Sequence, residues 1–212
     1  MFAHDRDLLA IEPNVFNEVS WIGQRLVKGT GDLDDGVLTL ATFDRDFVVA
    51  GVDAGHVVVI NNVAYEIVER VSATEVAVSR CRASVDAAAV WPADAAGASV
   101  EVRTFGPQVG MTHDLVLRLL GLESAEMPGA VGEGAVVNGA ALSRVEALGA
   151  LHLVYAAAGS LSGPGSAMWE RAEMYRRRFA AERQTAAARV DTDGDGVADA
   201  TRRMNVVWLG RS

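Results

Sequence analysis

The sequence predicts an α+β protein, a helical bundle of about three to four helices with an inserted small antiparallel β-barrel or sandwich domain. Short β-branched runs bounded by turn residues fill the stretch 36–106, while apolar residues at helical spacing dominate before and after it. The 212 residues are 50% hydrophobic and 22% charged, a composition that folds rather than staying disordered. The expected organisation is an N-terminal helical segment (1–35), a β domain (36–106), a helical domain (107–190), and an acidic turn with a C-terminal strand or tail (191–212).

In the first segment, Val15, Phe16, Val19, Trp21, Ile22, Leu26 and Val27 follow Pro13 with a spacing that reads as a short amphipathic helix, ended by Gly29-Thr30-Gly31. Strands are then expected at Val37–Leu40, Phe47–Val49, Val57–Ile60, Tyr65–Val68, Glu75–Val78 and Ser99–Val102. Asn61-Asn62 should close a hairpin between the third and fourth of these, because Asn tolerates the positive φ of a tight turn. Cys81, the lone cysteine, has no internal disulfide partner and reads as a buried strand residue.

Thr112 is a candidate helix cap, with Leu115, Leu119 and Leu122 on one face and Gly121 as the stop. The Gly-rich stretch 123–139 reads as a connection. Asn138 or Ser143 then starts a helix through Val145, Leu148, Leu151, His152, Val154 and Tyr155, ending in the linker Gly159–Gly165. A last helix from about Ser166 to Ala188 carries Met168, Ala172, Tyr175 and Phe179 on one stripe. Arg171, Arg176, Arg177, Arg178 and Arg183 occupy its other faces. Such a charge run reads first as a solvated face, and second as an electrostatic surface for an acidic neighbour or nucleic acid.

The segment with chemical content is Asp191-Thr192-Asp193-Gly194-Asp195-Gly196-Val197-Ala198-Asp199. Carboxylates at positions one, three, five and nine, the Val197 carbonyl at seven and Gly at six follow the first part of a calcium loop, in which hard oxygens surround a hard cation. Position twelve is Arg202 where a bidentate Glu is usual, so the ligand set is incomplete. Any bound calcium would be structural. The competing reading is an Asp/Gly-rich turn leading into a closing strand, Met204–Leu209.

Other chemistry is sparse. His4, His56, His113 and His152 are dispersed without metal-ligand spacing, His152 reads as a packed residue, and Gly29-Thr30-Gly31 lacks the Lys-Ser/Thr ending of a phosphate loop. These features point away from an enzyme. A net charge of -9 offers no global attraction to phosphates or anionic membranes. Residues 1–9 do not read as a secretory signal, and no uninterrupted apolar run approaches a membrane span. A soluble intracellular protein is therefore expected.

Phe2-Ala3-His4-Asp5-Arg6-Asp7-Leu8-Leu9, Gly51-Val52-Asp53-Ala54-Gly55-His56-Val57, Trp169 to Tyr175 and Asp191 to Asp199 resemble proteins of tailed-bacteriophage and prophage structural modules, in particular head-to-tail adaptor (connector) proteins. The resemblance implies a homo-oligomeric ring, a dodecamer, that docks on the portal protein, meets a tail or stopper protein, and lines the DNA channel in the virion neck after assembly in the host cytoplasm. It also implies a helical core with β insertions. Apolar anchors at Phe2, Leu8, Leu9 and Trp21 and charges at Arg176, Arg177 and Arg178 would suit the subunit contacts. The alternatives are a tail-completion or neck protein, a calcium-dependent protein-binding module, and an enzyme using a carboxylate pair such as Asp193 and Asp195.

Overall fold

The computed structural model describes residues 1–122 and 131–204 of the chain. It is a mixed α+β structure of two units, one comprising His4–Pro107 and the other Met1–Ala3 with Gln108–Ser212.

The first unit opens with two short helices, α1 (Asp5–Ile11) and α2 (Val15–Glu18), separated at Pro13. The expected amphipathic helix through Trp21 and Val27 does not form. Ile22–Gln24 make one 3-10 turn and the chain enters strand β1 (Arg25–Asp34). β2 (Val37–Phe43), β3 (Val57–Ile60), β4 (Val63–Arg70), β5 (Glu75–Ser79) and β6 (Ala95–Arg103) complete a closed antiparallel barrel in the order β1-β2-β5-β4-β3-β6, with β6 returning to β1. Closure settles the choice between barrel and sandwich. It also leaves the expected 35/36 boundary on the β1–β2 turn, inside the unit.

Two features of β1 explain why it reads poorly as a strand. Its sheet partners approach so closely that a Cβ on Gly29 would lie 1.8 Å from the Thr42 carbonyl oxygen, and the register with β2 shifts at Thr30/Gly31. Glycine is required there for lack of space, although it weakens the β pattern. The Asn61-Asn62 turn is as expected, with φ of 47° and 65°. Phe47–Val49 is not a strand. Phe47 drops into the barrel core while Val48 and Val49 stay exposed on a turn that closes with Ala50 N–H donating to the Asp46 carbonyl. The core is filled from all strands by residues such as Val27, Leu38, Val58, Ile67, Val78 and Val100.

In the second unit, α3 (Gly106–Leu120) begins six residues before Thr112, with Pro107 in its first turn, where a missing N–H costs little. Thr112 is thus interior, and its hydroxyl donates back to the Gln108 carbonyl at 3.0 Å. The buried face is Val109, Thr112, His113, Val116 and Leu120 rather than the Leu115/Leu119 face. Gly121 does stop the helix, at φ 63°. α4 (Ser143–Ser162) takes in part of the expected linker, Asn138 stays outside it, and α5 (Ala167–Thr185) is capped by Ser166, whose hydroxyl oxygen accepts from Trp169 N–H at 3.2 Å. α4 meets both α3 and α5 closely at Gly149, where a Cβ would sit 2.4 Å from Thr112 of α3 and 3.1 Å from Phe179 of α5. Tyr155 and Tyr175 stack across α4 and α5 at 5.6 Å.

By length and composition α4 is apolar enough to cross a membrane, although Arg144, Glu146 and His152 interrupt its apolar run. Much of its surface packs in the core, including Val145, Leu148, Leu151 and Val154. After α5, strands β7 (Ala187–Val190) and β8 (Ala200–Arg203) form a two-stranded sheet. The expected closing strand Met204–Leu209 lies outside the described residues apart from Met204, which is in a turn.

Candidate functional site

The acidic turn joins β7 to β8, so the sheet pairing of Val190 with Ala200 holds its two ends together. Asp191 accepts from Gly194 N–H and Gly196 N–H, both at 2.7 Å, which holds its carboxyl below the ordinary carboxylate range. Asp193 accepts from Asp195 N–H at 3.3 Å, and Asp195 from Val197 N–H at 2.7 Å. One carboxylate oxygen from each of Asp191, Asp193 and Asp195 lies within 4.8 Å of the others, a spacing that a hard cation can span. Asp199 points to a different partner, accepting from Thr192 N–H and hydroxyl at 3.2 and 2.6 Å. Val197 is exposed. The structure therefore gathers three of the expected carboxylates and turns the fourth away.

Arg202, which stands where the last loop ligand would be, has a different task. Its guanidinium donates to the carbonyls of Leu120 and Gly121 at the end of α3, satisfying acceptors that a helix terminus leaves open and placing a cation on the negative end of its dipole.

The expected partner residues fall into two groups. Leu8 and Leu9 are enclosed in their own unit, at 0% and 4% exposure, because α1 lays them against the barrel. They are core residues, not anchors for a neighbour. Trp21 is half-buried with its ring edge-on to Phe105, and Phe2 packs edge-on to His113 at 5.2 Å. Arg176, Arg177 and Arg178 are exposed along α5. Arg176 pairs with Glu173 at 2.8 Å, and Arg178 lies over the Tyr175 ring at 5.6 Å. Beside them, Trp169, Met174, Arg177 and Arg178 line a shallow concavity of about 480 Å³.

Two buried carboxylates carried no signal in the sequence. Glu66 on β4 is fully enclosed, with Arg6 Nε at 2.8 Å and Arg82 Nε also bonded to it. Glu146 on α4 is equally enclosed. It accepts from Phe2 N–H and Ala3 N–H, both at 2.9 Å, and its other oxygen lies 2.6 Å from His113 Nδ1, while His113 Nε2 lies 3.1 Å from Glu133. Only the alternation of residue types around a buried helix could have flagged Glu146, since it sits on an otherwise apolar run.

Two further groups are perturbed by burial. Burial pushes the Asp5 carboxyl up to about 6, against the opposing help of hydrogen bonds from Thr104 and from Phe105 N–H, the latter at 2.7 Å. Cys81 is half-buried just beyond β5 rather than in a strand, its Sγ 3.6 Å from the Arg6 carbonyl, and burial raises its thiol pKa, making it a poor nucleophile. His152 Nδ1 lies 3.1 Å from the Ala172 carbonyl. Set against known proteins, the chain matches no family model, no curated protein and no solved structure.

Proposed function

We propose that this chain is a structural assembly protein of the head-to-tail adaptor type, building a homo-oligomeric ring, a dodecamer, between a phage portal and a tail or stopper protein and lining the DNA channel. The observation that carries the reading is the outward face of α5. Trp, Met and Arg side chains are the types enriched at protein contacts, and here Trp169, at 40% exposure, Met174 and Arg177 surround one concavity on a rigid helix. On this reading α3, α4 and α5 act as the helical bundle that presents that face. The acidic surface of a chain with net charge -9 would let DNA pass without holding its phosphates.

Light scattering of the purified chain, alone and mixed with portal and tail proteins, tests the proposal. Ring-sized complexes that shrink when Trp169→Ala and Arg177→Glu are combined support it; a monomer that never joins portal overturns it. A second reading, a calcium-dependent binding module, draws on the three converging carboxylates of the acidic turn. It requires partner binding to disappear with chelator, whereas in the adaptor a cation would only stiffen the turn. The tail-completion alternative predicts binding to tail protein without portal.

A further inference from the structure

We infer that the cleft beside the start of β4 is a docking site for an extended acidic peptide segment of a partner protein. The cleft measures about 1020 Å³, lies wholly within the barrel unit, and is lined by residues from α1, α2, the start of β4 and the segment after β5. In a chain with 28 acidic against 19 basic residues, two arginines, Arg80 and Arg82, line this cleft, and no acidic residue does among those described. Arg82 is already committed to Glu66 and to the Val85 and Ala87 carbonyls. Arg80 is exposed, and among the described residues its guanidinium has no hydrogen bond or ion pair. It is the cation left to receive a carboxylate.

The backbone supplies a second recognition element. Ile67 exchanges its N–H and C=O with His56 and Gly55, at 2.9 Å each, on the β3 side of β4. Peptide groups alternate sides along a strand, so those of Val63 and Tyr65 also face β3, in register with Ile60 and Val58, while those of Ala64 and Glu66 face β5. Glu66 is matched by Ser79, but β5 ends there and Arg80 turns off to bond the Val90 carbonyl at 2.9 Å. The N–H and C=O of Ala64 are thereby aimed into the cleft at an edge where β5 no longer runs. An extended segment can pair with that edge, put a carboxylate on Arg80, and lay apolar side chains on Ala10, Pro13 and Val63. A small anion would use Arg80 alone and leave both the edge and the apolar floor uncovered.

The inference adds a partner chemistry to the assembly reading but stands on a separate surface, so ring formation without peptide binding would sink it and leave the adaptor reading intact. The test is fluorescence anisotropy of the intact chain with a labelled six-residue peptide of alternating Val and Glu, and with its Val/Lys counterpart. Saturable binding of the Glu peptide is expected, with affinity falling about ten-fold or more for Arg80→Glu. Ala64→Pro should cause a similar loss, because it removes the edge N–H without touching a ladder bond to β3. Hydrogen exchange in β3 and β4 shows that each variant keeps its fold. Equal binding of the Lys peptide, indifference to either substitution, or displacement of the Glu peptide by stoichiometric single-stranded DNA would overturn the inference, the last assigning the cleft to phosphates.

Discussion

Among the described residues each unit encloses one glutamate completely, and the two solve the same problem with different partners. In the barrel unit Glu66 is held by two guanidinium groups, from Arg6 and Arg82, that stay charged under all ordinary conditions. In the helical unit Glu146 is held by two backbone amides and an imidazole that lies between it and Glu133. An imidazole donates from both nitrogens only as the cation. One unit thus rests on two guanidinium charges, the other on an imidazole and two main-chain donors. In both, the carboxylate ties residues 2–6 to an element far along the chain, Arg6 to β4 and Phe2 and Ala3 to α4.

The contrast is broken most forcefully at Glu66. Glu66→Ala takes the shared carboxylate from two enclosed guanidinium groups, leaving Arg6 with Asp7 at 2.9 Å and Arg82 with carbonyls alone, and should cost about 3–5 kcal/mol. Urea unfolding should reveal the loss, and hydrogen exchange should place it in β3, β4 and α1 rather than in α4 and α5. A loss spread equally over both units would mean that they unfold as one.

Next in size is the pH response of the barrel unit. Because the folded-state pKa of Asp5 is raised to about 6 from 3.8, the folded form binds the proton more tightly than the unfolded form. The stability this contributes is fully present below pH 3.8 and is lost as pH rises through 6, on the order of 2–3 kcal/mol in all. Asp5→Asn should flatten that part of the profile and stabilise the barrel at pH 8. Thermal unfolding at pH 4, 6 and 8 checks it, and an unchanged slope would remove Asp5 as its source.

Glu146→Gln sharpens the comparison from the other side. The amide oxygen can still accept from Phe2 and Ala3, but an NH2 group replaces the acceptor oxygen that faces His113 Nδ1, so a loss of about 1–3 kcal/mol is expected in the helical unit. Exchange at the Phe2 and Ala3 amides should rise little, whereas Glu146→Ala should release both. The smallest effect belongs to Ser166→Ala, which deletes the cap of α5 and should cost about 1 kcal/mol, visible as faster exchange at Trp169 N–H with the barrel unaffected.

Much of the barrel was legible because Val57–Ile60, Tyr65–Val68 and their neighbours are β-branched and the Asn61-Asn62 turn announces itself. β1 was not, since Gly29 and Gly31 are chosen for the space their sheet neighbours leave, and a local propensity scale cannot register a long-range approach. The same blindness turned Trp21, Ile22, Leu26 and Val27 into a helix: their spacing fits either period over so short a window. At α3 the early start at Gly106 was hidden by the cap-like Thr112. In the acidic turn, sequence spacing foretold the convergence of Asp191, Asp193 and Asp195, but the separate hydrogen bonds of Asp199 and the helix-capping role of Arg202 depend on partners that spacing does not reveal. Buried Glu66 and Glu146 look like surface residues until the fold supplies their hydrogen-bond partners.

The division of the chain into His4–Pro107 on one side and Met1–Ala3 with Gln108 onward on the other bears on the order in which the protein is made. During synthesis the barrel has all its strands once Arg103 has emerged, and it can fold while the helices are still inside the ribosome. Phe2 and Ala3, translated before the barrel strands, find their acceptor only after Glu146 has appeared, a separation of 144 and 143 residues. Through that interval Phe2 and Ala3 lack the acceptor they have in the finished structure, joining the helical unit late although they are made before any of its helices.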